Sequence, residues 1–468
     1  MSNHADVIET GKGYRVQNPF TGEILEQVPY STDEEIHTAV ANAHEAYLEW
    51  RERPIEERAA LVRRVSELFA ERADELGAII ALEMGKNLNS AIGEAAFCES
   101  IFGYYAENGP RFAEDEILDR PGKGSALIRR RPLGVILGVM PWNYPYYQVA
   151  RLAAPNLVLG NTVILKHADV CPRSAAMVES IILEAGIPRG VFQTIYPSHA
   201  QVEQVIADDR VQGVSLTGSE RAGSIVGSLA GKYLKKVVLE LGGSDPYVLL
   251  DSEDVKASAA LAWKTRMANA GQACNSNKRM IVMDDIYDEF VAELTRLADS
   301  LRPGDPLLAE EGTFSPMSSR RAALELQEQI DETVSQGAKV LAGGGVLPET
   351  HAFFAPTVLT DVAPGMRAYH EELFGPVALV FKVHSDEEAL ALANDTPFGL
   401  GGAVFSTDVE RARAVAERLE SGMTNVNAPA LEAEDVPFGG VKRSGFGREL
   451  GHLGMDEFAN KQLVYIAE

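Results

Sequence analysis

Residues 161–196 read NTVILKHADVCPRSAAMVESIILEAGIPRGVFQTIY. NTVILK is a short apolar run, which predicts a buried strand. SAAMVESIILEAG then carries apolar residues at helical spacing and ends on glycine. VFQTIY is a second apolar run. Beyond it HAQVEQVIAD predicts a helix, VQGVSLTG a strand, SERAGSIVGSLAG a helix and KKVVLEL a strand. Short apolar runs separated by helices of this length predict a parallel sheet with both faces covered. In such sheets ligands bind beyond the carboxyl ends of the strands, often against helix N-termini.

Upstream, NPFTGEILEQVPY is strand-like, and Thr32 with Glu35 makes a capping-box pattern opening a helical region that runs to about Lys86. Helical character continues to about Phe112. SALIRRRPLGVILGVMPWN then predicts a strand, a basic patch and another strand; Arg129–Arg131 read as the solvated edge of a hairpin or, less simply, an anion site. Downstream, a helix around 256–267, the strand RMIVM, a helix from Tyr287 and strands around 356–359 and 377–383 predict a second α/β lobe. No internal repeat or low-complexity tract is evident.

At 468 residues the chain is long enough for more than one core. Its formal net charge of −25 argues against nucleic acid or an anionic membrane surface as partner, since both need a basic footprint. The opening residues MSNHADVIETGKGYRV lack a basic segment followed by an apolar one, and runs such as LGVILGVM are too short to span a bilayer, so a cytoplasmic location is expected. Cys98, Cys171 and Cys274 are too few and too scattered for a disulfide framework. With no CxxC or Cys/His cluster, no metal site is expected.

Several stretches could carry chemistry, and each has a plain alternative. Lys166 and Asp169 in VILKHAD follow a strand and could bind ribose hydroxyls, or could simply cap it. LTGSERAG (216–223) could turn backbone N–H groups toward a phosphate, or form a tight turn. Glu240 in VVLELGGSDP could serve as a general base if burial raises its pKa, or be an exposed turn acid. Asn143 in MPWNYP could donate to a developing oxyanion, or belong to a turn. Cys274 sits in NAGQACNSNKR (269–279) among small and amide residues, with Lys278 and Arg279 just downstream; it could be a nucleophile or a spare thiol. Together they suit covalent capture of a carbonyl followed by hydride transfer.

These motifs resemble the aldehyde dehydrogenase superfamily over nearly the whole chain. MPWNYP, VILKHAD, LTGSERAG, LELGGSDP, GQAC, EELFGPV (371–377) and PFGGVKRSGFGREL (437–450) occur in the family's order and spacing, with Glu240 and Cys274 34 residues apart. The resemblance implies an α/β fold. A Rossmann-type cofactor domain would span 1–118 and 137–241, an α/β catalytic domain 242–450, and a small β oligomerisation hairpin 119–136 with 451–468. It also implies NAD(P)-dependent oxidation of an aldehyde to a carboxylic acid. Cys274 would attack to give a thiohemiacetal and then a thioester, Asn143 and the Cys274 N–H would hold the oxyanion, and Glu240 would activate water as acyl acceptor. Met140, Pro141, Trp142 and Leu241 would line the cofactor cleft. Lys166 would hold the adenosine ribose, Gly218 and Ser219 the pyrophosphate, and Glu372 with Phe374 the nicotinamide ribose. Homodimers or homotetramers are the family habit.

The loop YPSHAQVEQV, together with YYAENG and AAPNL, looks like the bacterial succinate-semialdehyde dehydrogenase branch. Arg151 falls where such enzymes place a carboxylate-binding arginine, and Tyr144 and Tyr147 either wall the substrate site or belong to the core. Against this, APALEAEDV (428–436) brings Glu432, Glu434 and Asp435 to the tunnel, which favours a neutral or amino-aldehyde. The alternatives are therefore an amino-aldehyde or aromatic-aldehyde enzyme, or a CoA-acylating semialdehyde dehydrogenase. Asp169 would accept from a ribose 2′-OH and repel a 2′-phosphate, so NAD is expected over NADP.

Overall fold

The computed structural model describes residues 13–119, 123–347 and 351–467. Its first sheet has six strands in the order Gly445–Phe446, Lys236–Glu240, Val211–Thr217, Val135–Val139, Thr162–Lys166, Phe192–Ile195. The last five are mutually parallel, and Gly445–Phe446 closes the edge antiparallel to Lys236–Glu240. Chain order runs outward from Val135–Val139 in one direction and then returns to its other side. That reversal opens a crevice beyond the strand ends, between Val139 and Thr217.

The helices fall where the apolar spacing put them: Pro172–Glu184, His199–Ala207 and Glu220–Lys232. The N-terminal helical region is three helices, Asp33–Trp50, Ile55–Glu71 and Ala73–Met84. Pro54 stands where the second begins, and Arg72 separates the second from the third. Thr32 and Glu35 form the capping box. Leu88–Phe112 follows, and its Ala91, Ala95, Ile101, Phe102 and Tyr105 are buried in a core shared with Ile136, Val163 and Leu165.

The second sheet has seven strands in the order Lys339–Ala342, Thr357–Thr360, Val377–Val383, Arg279–Met283, Pro246–Leu249, Ala403–Phe405, Asn425–Val426. All pairings but the first are parallel. Pro246–Leu249 and Ala403–Phe405 were not read from the sequence, yet they sit inside the sheet.

A third, antiparallel sheet pairs Ser125–Pro132 with Glu116–Leu118 on one side and Ala459–Ile466 on the other. The basic run is therefore on a central strand, not a hairpin edge. Arg129 pairs with Asp115 and Arg130 with Asp456, while Arg131 donates to Gln462. Residues 120–122 of the expected hairpin lie outside the described residues, as do 1–12 at the start of the expected cofactor domain. Glu116–Leu118, expected in that domain, pairs into the third sheet, and Gly445–Phe446, expected in the catalytic domain, pairs into the first. Among the described residues no helix is long and apolar enough to cross a membrane.

Candidate active site

Cys274 is partly exposed and lines a cavity of about 420 Å³ between the two lobes. It follows an unusual corner: Asn269 (φ 52°), Ala270 (φ 52°) and Gly271 (φ 72°) are all left-handed. Such a corner persists only where its surroundings dictate it. Asn269 Nδ2 donates to the Asn143 carbonyl at 2.9 Å, and Gln272 Oε1 accepts from the Ser318 N–H. The buried Arg266 guanidinium donates to the carbonyls of Gly271, Leu373, Gly375 and Val377 and to Ser276 Oγ. One side chain thus ties the cysteine segment to the segment that bears Glu372.

Asn143 is buried, and its Nδ2 donates to the Gln272 carbonyl at 3.1 Å, two residues before the cysteine. An amide nitrogen has two N–H donors, so one remains beyond the bond to Gln272. Burial pushes the Cys274 thiol up to about 12; the Arg151 and Lys278 charges oppose that rise, while Glu372 and Asp245 add to it.

Glu240 ends its strand, 2% exposed, and neither carboxylate oxygen has a hydrogen-bond partner. Burial first, and Glu449 second, hold its carboxyl well above the usual range. A Cβ at Gly439 would meet Glu240 Oε1 at 2.7 Å, so the PFGG turn packs directly on this acid.

Arg151 does not meet the expectation of a substrate ligand. Its Nε lies 2.7 Å from Glu449 Oε2, with the N–H off the line of a hydrogen bond. The guanidinium sits 4.7 Å over the Tyr147 ring and 4.3 Å over Phe438, and Nη2 donates to Gln148. Fully buried, it is absent from the cavity wall, although its charge acts on both Cys274 and Glu240. Tyr144 and Tyr147 do line the cavity, with Phe97, Met423, Leu431, Glu432 and Phe438.

The expected cofactor residues gather at the crevice. Trp142 and Phe374, from different lobes, meet edge-to-face at 5.7 Å. Met140 is buried, its N–H bonded to the Lys166 carbonyl, and Pro141 connects it to Trp142. Ser219 caps the helix Glu220–Lys232, and the Gly218 N–H bonds the Glu240 carbonyl. Leu241 lines a second cavity of about 340 Å³ with Glu220, Gly223, Gly227 and Phe446. Glu372 Oε1 accepts from the Gly243 N–H at 3.1 Å, and a Cβ at Gly242 would sit 2.1 Å from Glu372 Oε2. Lys166 Nζ donates to Asp169 Oδ1 at 2.7 Å, so that carboxylate is charge-paired. Thr217 Oγ1, at the strand end facing this crevice, is buried without a partner. A helix N-terminus at Ser219, an orphaned hydroxyl and the cavity beside Leu241 fit a dinucleotide.

A partly exposed thiol at a cavity between two α/β lobes, one of them a Rossmann-like sheet, fits the class of nicotinamide-dependent dehydrogenases. The chain belongs to the aldehyde dehydrogenase family, whose model matches residues 7–464. It is 53% identical over 448 residues to the NADP(+) succinate-semialdehyde dehydrogenase of Deinococcus radiodurans, covering 96% of this chain and 93% of that one. It is 40% identical over 452 residues to succinate-semialdehyde dehydrogenase [NADP(+)] 1 of Mycobacterium tuberculosis, covering 96% and 99%. The solved structure of succinic semialdehyde dehydrogenase from Streptococcus pyogenes in complex with NADP+ superposes with a TM-score of 0.94 at 40% identity, over 97% of this chain and 100% of that one. The protein is an aldehyde dehydrogenase that uses a nicotinamide dinucleotide.

The sequence reading passed over Asn269, Gln272, Arg266 and the Glu449–Arg151 pair. Local pattern gives no signal for contacts between segments so far apart in the chain. Asp245 lay inside a quoted motif without a role; it lines the Cys274 cavity, and burial pushes its carboxyl to about 6.

Proposed function

We propose that the enzyme oxidises succinate semialdehyde to succinate, with NADP in preference to NAD. The observation that carries the chemistry is a partly exposed thiol at a cavity between the lobes, with the Asn143 amide fixed beside the backbone that leads into it. Cys274 Sγ, its proton passing to solvent in the open cavity, bonds to the aldehyde carbon, and the oxyanion is received by the free Asn143 N–H and the backbone N–H of Cys274. Lys166 and Glu372 would hold the riboses of a nicotinamide dinucleotide and Gly218 with Ser219 its phosphates; bound there, it would supply the hydride acceptor. The carbonyl re-forms as a thioester on sulfur. Glu240 takes a proton from water, whose oxygen displaces the thiolate and releases the acid. An ionisable acid with two unclaimed oxygens favours water over CoA as acyl acceptor.

The substrate assignment rests on the names and identities of the relatives. One observation favours a second reading: among the described residues lining the cavity there is no Lys, Arg or His, whereas Glu432 is there; Glu94 and Asp245 line it too, met from behind by the ammonium groups of Lys86 and Lys278. An amino-aldehyde suits such a wall. For the cofactor, the charge pairing of Asp169 with Lys166 weakens the repulsion that would have selected NAD, and the relatives' names carry NADP. Steady-state kinetics on succinate semialdehyde, aminobutyraldehyde and benzaldehyde, without CoA and with each dinucleotide, test both points. The expected maximum of kcat/KM is succinate semialdehyde with NADP. A maximum at aminobutyraldehyde moves the assignment to the second reading, and a higher value with NAD restores the expectation first drawn from Asp169.

We further propose the domain division: a cofactor domain on the six-stranded sheet, a catalytic domain on the seven-stranded sheet, and the antiparallel sheet as the contact between copies of the chain. Ala459–Ile466 is an edge strand with Leu463 and Ile466 each 64% exposed, a surface suited to pairing. Light scattering should give a dimer or tetramer, with Leu463→Lys combined with Ile466→Lys shifting it toward monomer; a monomeric parent protein contradicts this.

A further inference from the structure

Lys278 stands four residues after the cysteine, and the chemistry above leaves it without a task. Its side chain is 1% exposed, which for lysine requires partners. The ammonium donates to the Ala273 carbonyl at 2.7 Å and the Cys274 carbonyl at 2.8 Å, and lies 3.0 Å from Glu372 Oε1. Three protons meet three oxygens. Arg279 beside it is purely architectural, donating to the carbonyls of Ser244, Leu392 and Ala393. Lys278 differs because two of its partners belong to the reacting site: the nucleophile's own peptide and the carboxylate assigned to the nicotinamide ribose.

We propose that Lys278 is a positioning residue for the nucleophile, clasping the Cys274 carbonyl to the Glu372 carboxylate so that the thiol is held in place and shielded from the field of that acid. The inference rests on the reading of Cys274 as nucleophile and Glu372 as a cofactor ligand. The groups that face the sulfur divide evenly. Arg151, from the helix Tyr147–Leu159, and Lys278 favour the thiolate, while Glu372 and Asp245 oppose it. Tyr144 and Tyr147 close the remaining side of the cavity. The Lys278 charge also bears on Asp245. Both opposing carboxylates are therefore offset by one ammonium. Without it, two acids face the thiol against Arg151 alone, and the clasp between the two loops is gone.

The test is the pH dependence of iodoacetamide alkylation of the full-length protein, followed by intact mass, with reduced-dinucleotide formation measured in parallel. Cys98 and Cys171 are buried, and Cys274→Ala supplies the background. In Lys278→Met the alkylation midpoint should move up, slowing alkylation about tenfold at a fixed pH below it. Lys278→Arg should restore the midpoint. In Glu372→Gln, which leaves the ammonium uncompensated, the midpoint should move down. Opposite signs from the two partners are not produced by loosened packing. An unshifted midpoint in folded Lys278→Met, or shifts of the same sign in both variants, overturns the proposal. Should Lys278→Met fail to fold, Glu372→Gln decides, an unshifted midpoint again overturning it. A Cys274→Ala enzyme that still turned over would instead overturn the nucleophile assignment beneath it.

Discussion

Cys274→Ala is expected to abolish aldehyde oxidation while dinucleotide binding survives. The loss should be on the order of 10⁶-fold in kcat, the scale on which removing a serine nucleophile costs a protease. The argument is geometric. The thiol is the cysteine that lines the cavity, and Cys98 and Cys171 are fully buried elsewhere. Alanine takes away the sulfur and leaves Asn143, Lys278 and the corner before the cysteine their partners, so the fold should persist. The residues proposed to hold the dinucleotide lie on other segments, so binding should be kept. Tight binding with no turnover is the expected pair of results, from titration of the dinucleotide by fluorescence and from a rate assay. Turnover within tenfold of the parent would remove Cys274 from the mechanism.

Glu240→Gln is expected to separate the reaction into its halves. Thiol attack and hydride departure do not need the acid, so a first turnover should yield about one reduced dinucleotide per site. Release of the acid does need it, and the steady state should fall roughly 10²–10⁴-fold, the usual share of a general base. The parent's pH dependence has a definite sign. Burial holds the Glu240 carboxyl protonated to higher pH than an ordinary carboxylate. A base acts only when ionised, so acyl-enzyme hydrolysis should rise with pH through that raised value. The limb should vanish in the glutamine variant. Stopped-flow traces across pH read both features, and a variant lacking the burst, or keeping the limb, contradicts the role.

Sheet and helix placement in the first lobe was legible because branched apolar runs alternate there with helices of regular length. What escaped was short or remote. Pro246–Leu249 is four residues behind a glycine turn, and Gly445–Phe446 is two residues that acquire meaning by docking on Lys236–Glu240. In the candidate site, the acid ends a strand and the amide follows one, as their motifs suggested, whereas the thiol lies in the loop that precedes the strand Arg279–Met283. Partners did not carry. Arg151 looked like a ligand for a carboxylate and is bound to one, but the carboxylate belongs to Glu449 at the far end of the chain. Asp169 read as a discriminating charge, and Lys166, three residues earlier, takes it up. A side chain's identity is local, whereas its neutraliser is set by tertiary packing.

The left-handed corner at 269–271 also limits how this protein can change. Non-glycine residues held at positive φ cost roughly 1–2 kcal/mol each, and a Cβ on Gly271 would strike the Gly375 carbonyl oxygen at 2.1 Å. Few side chains are admissible there, and none that is branched at Cβ. Laboratory evolution toward new aldehydes should accordingly accumulate changes along the far rim, at Leu431 or Met423, and almost none in the three residues that bend the chain toward its sulfur.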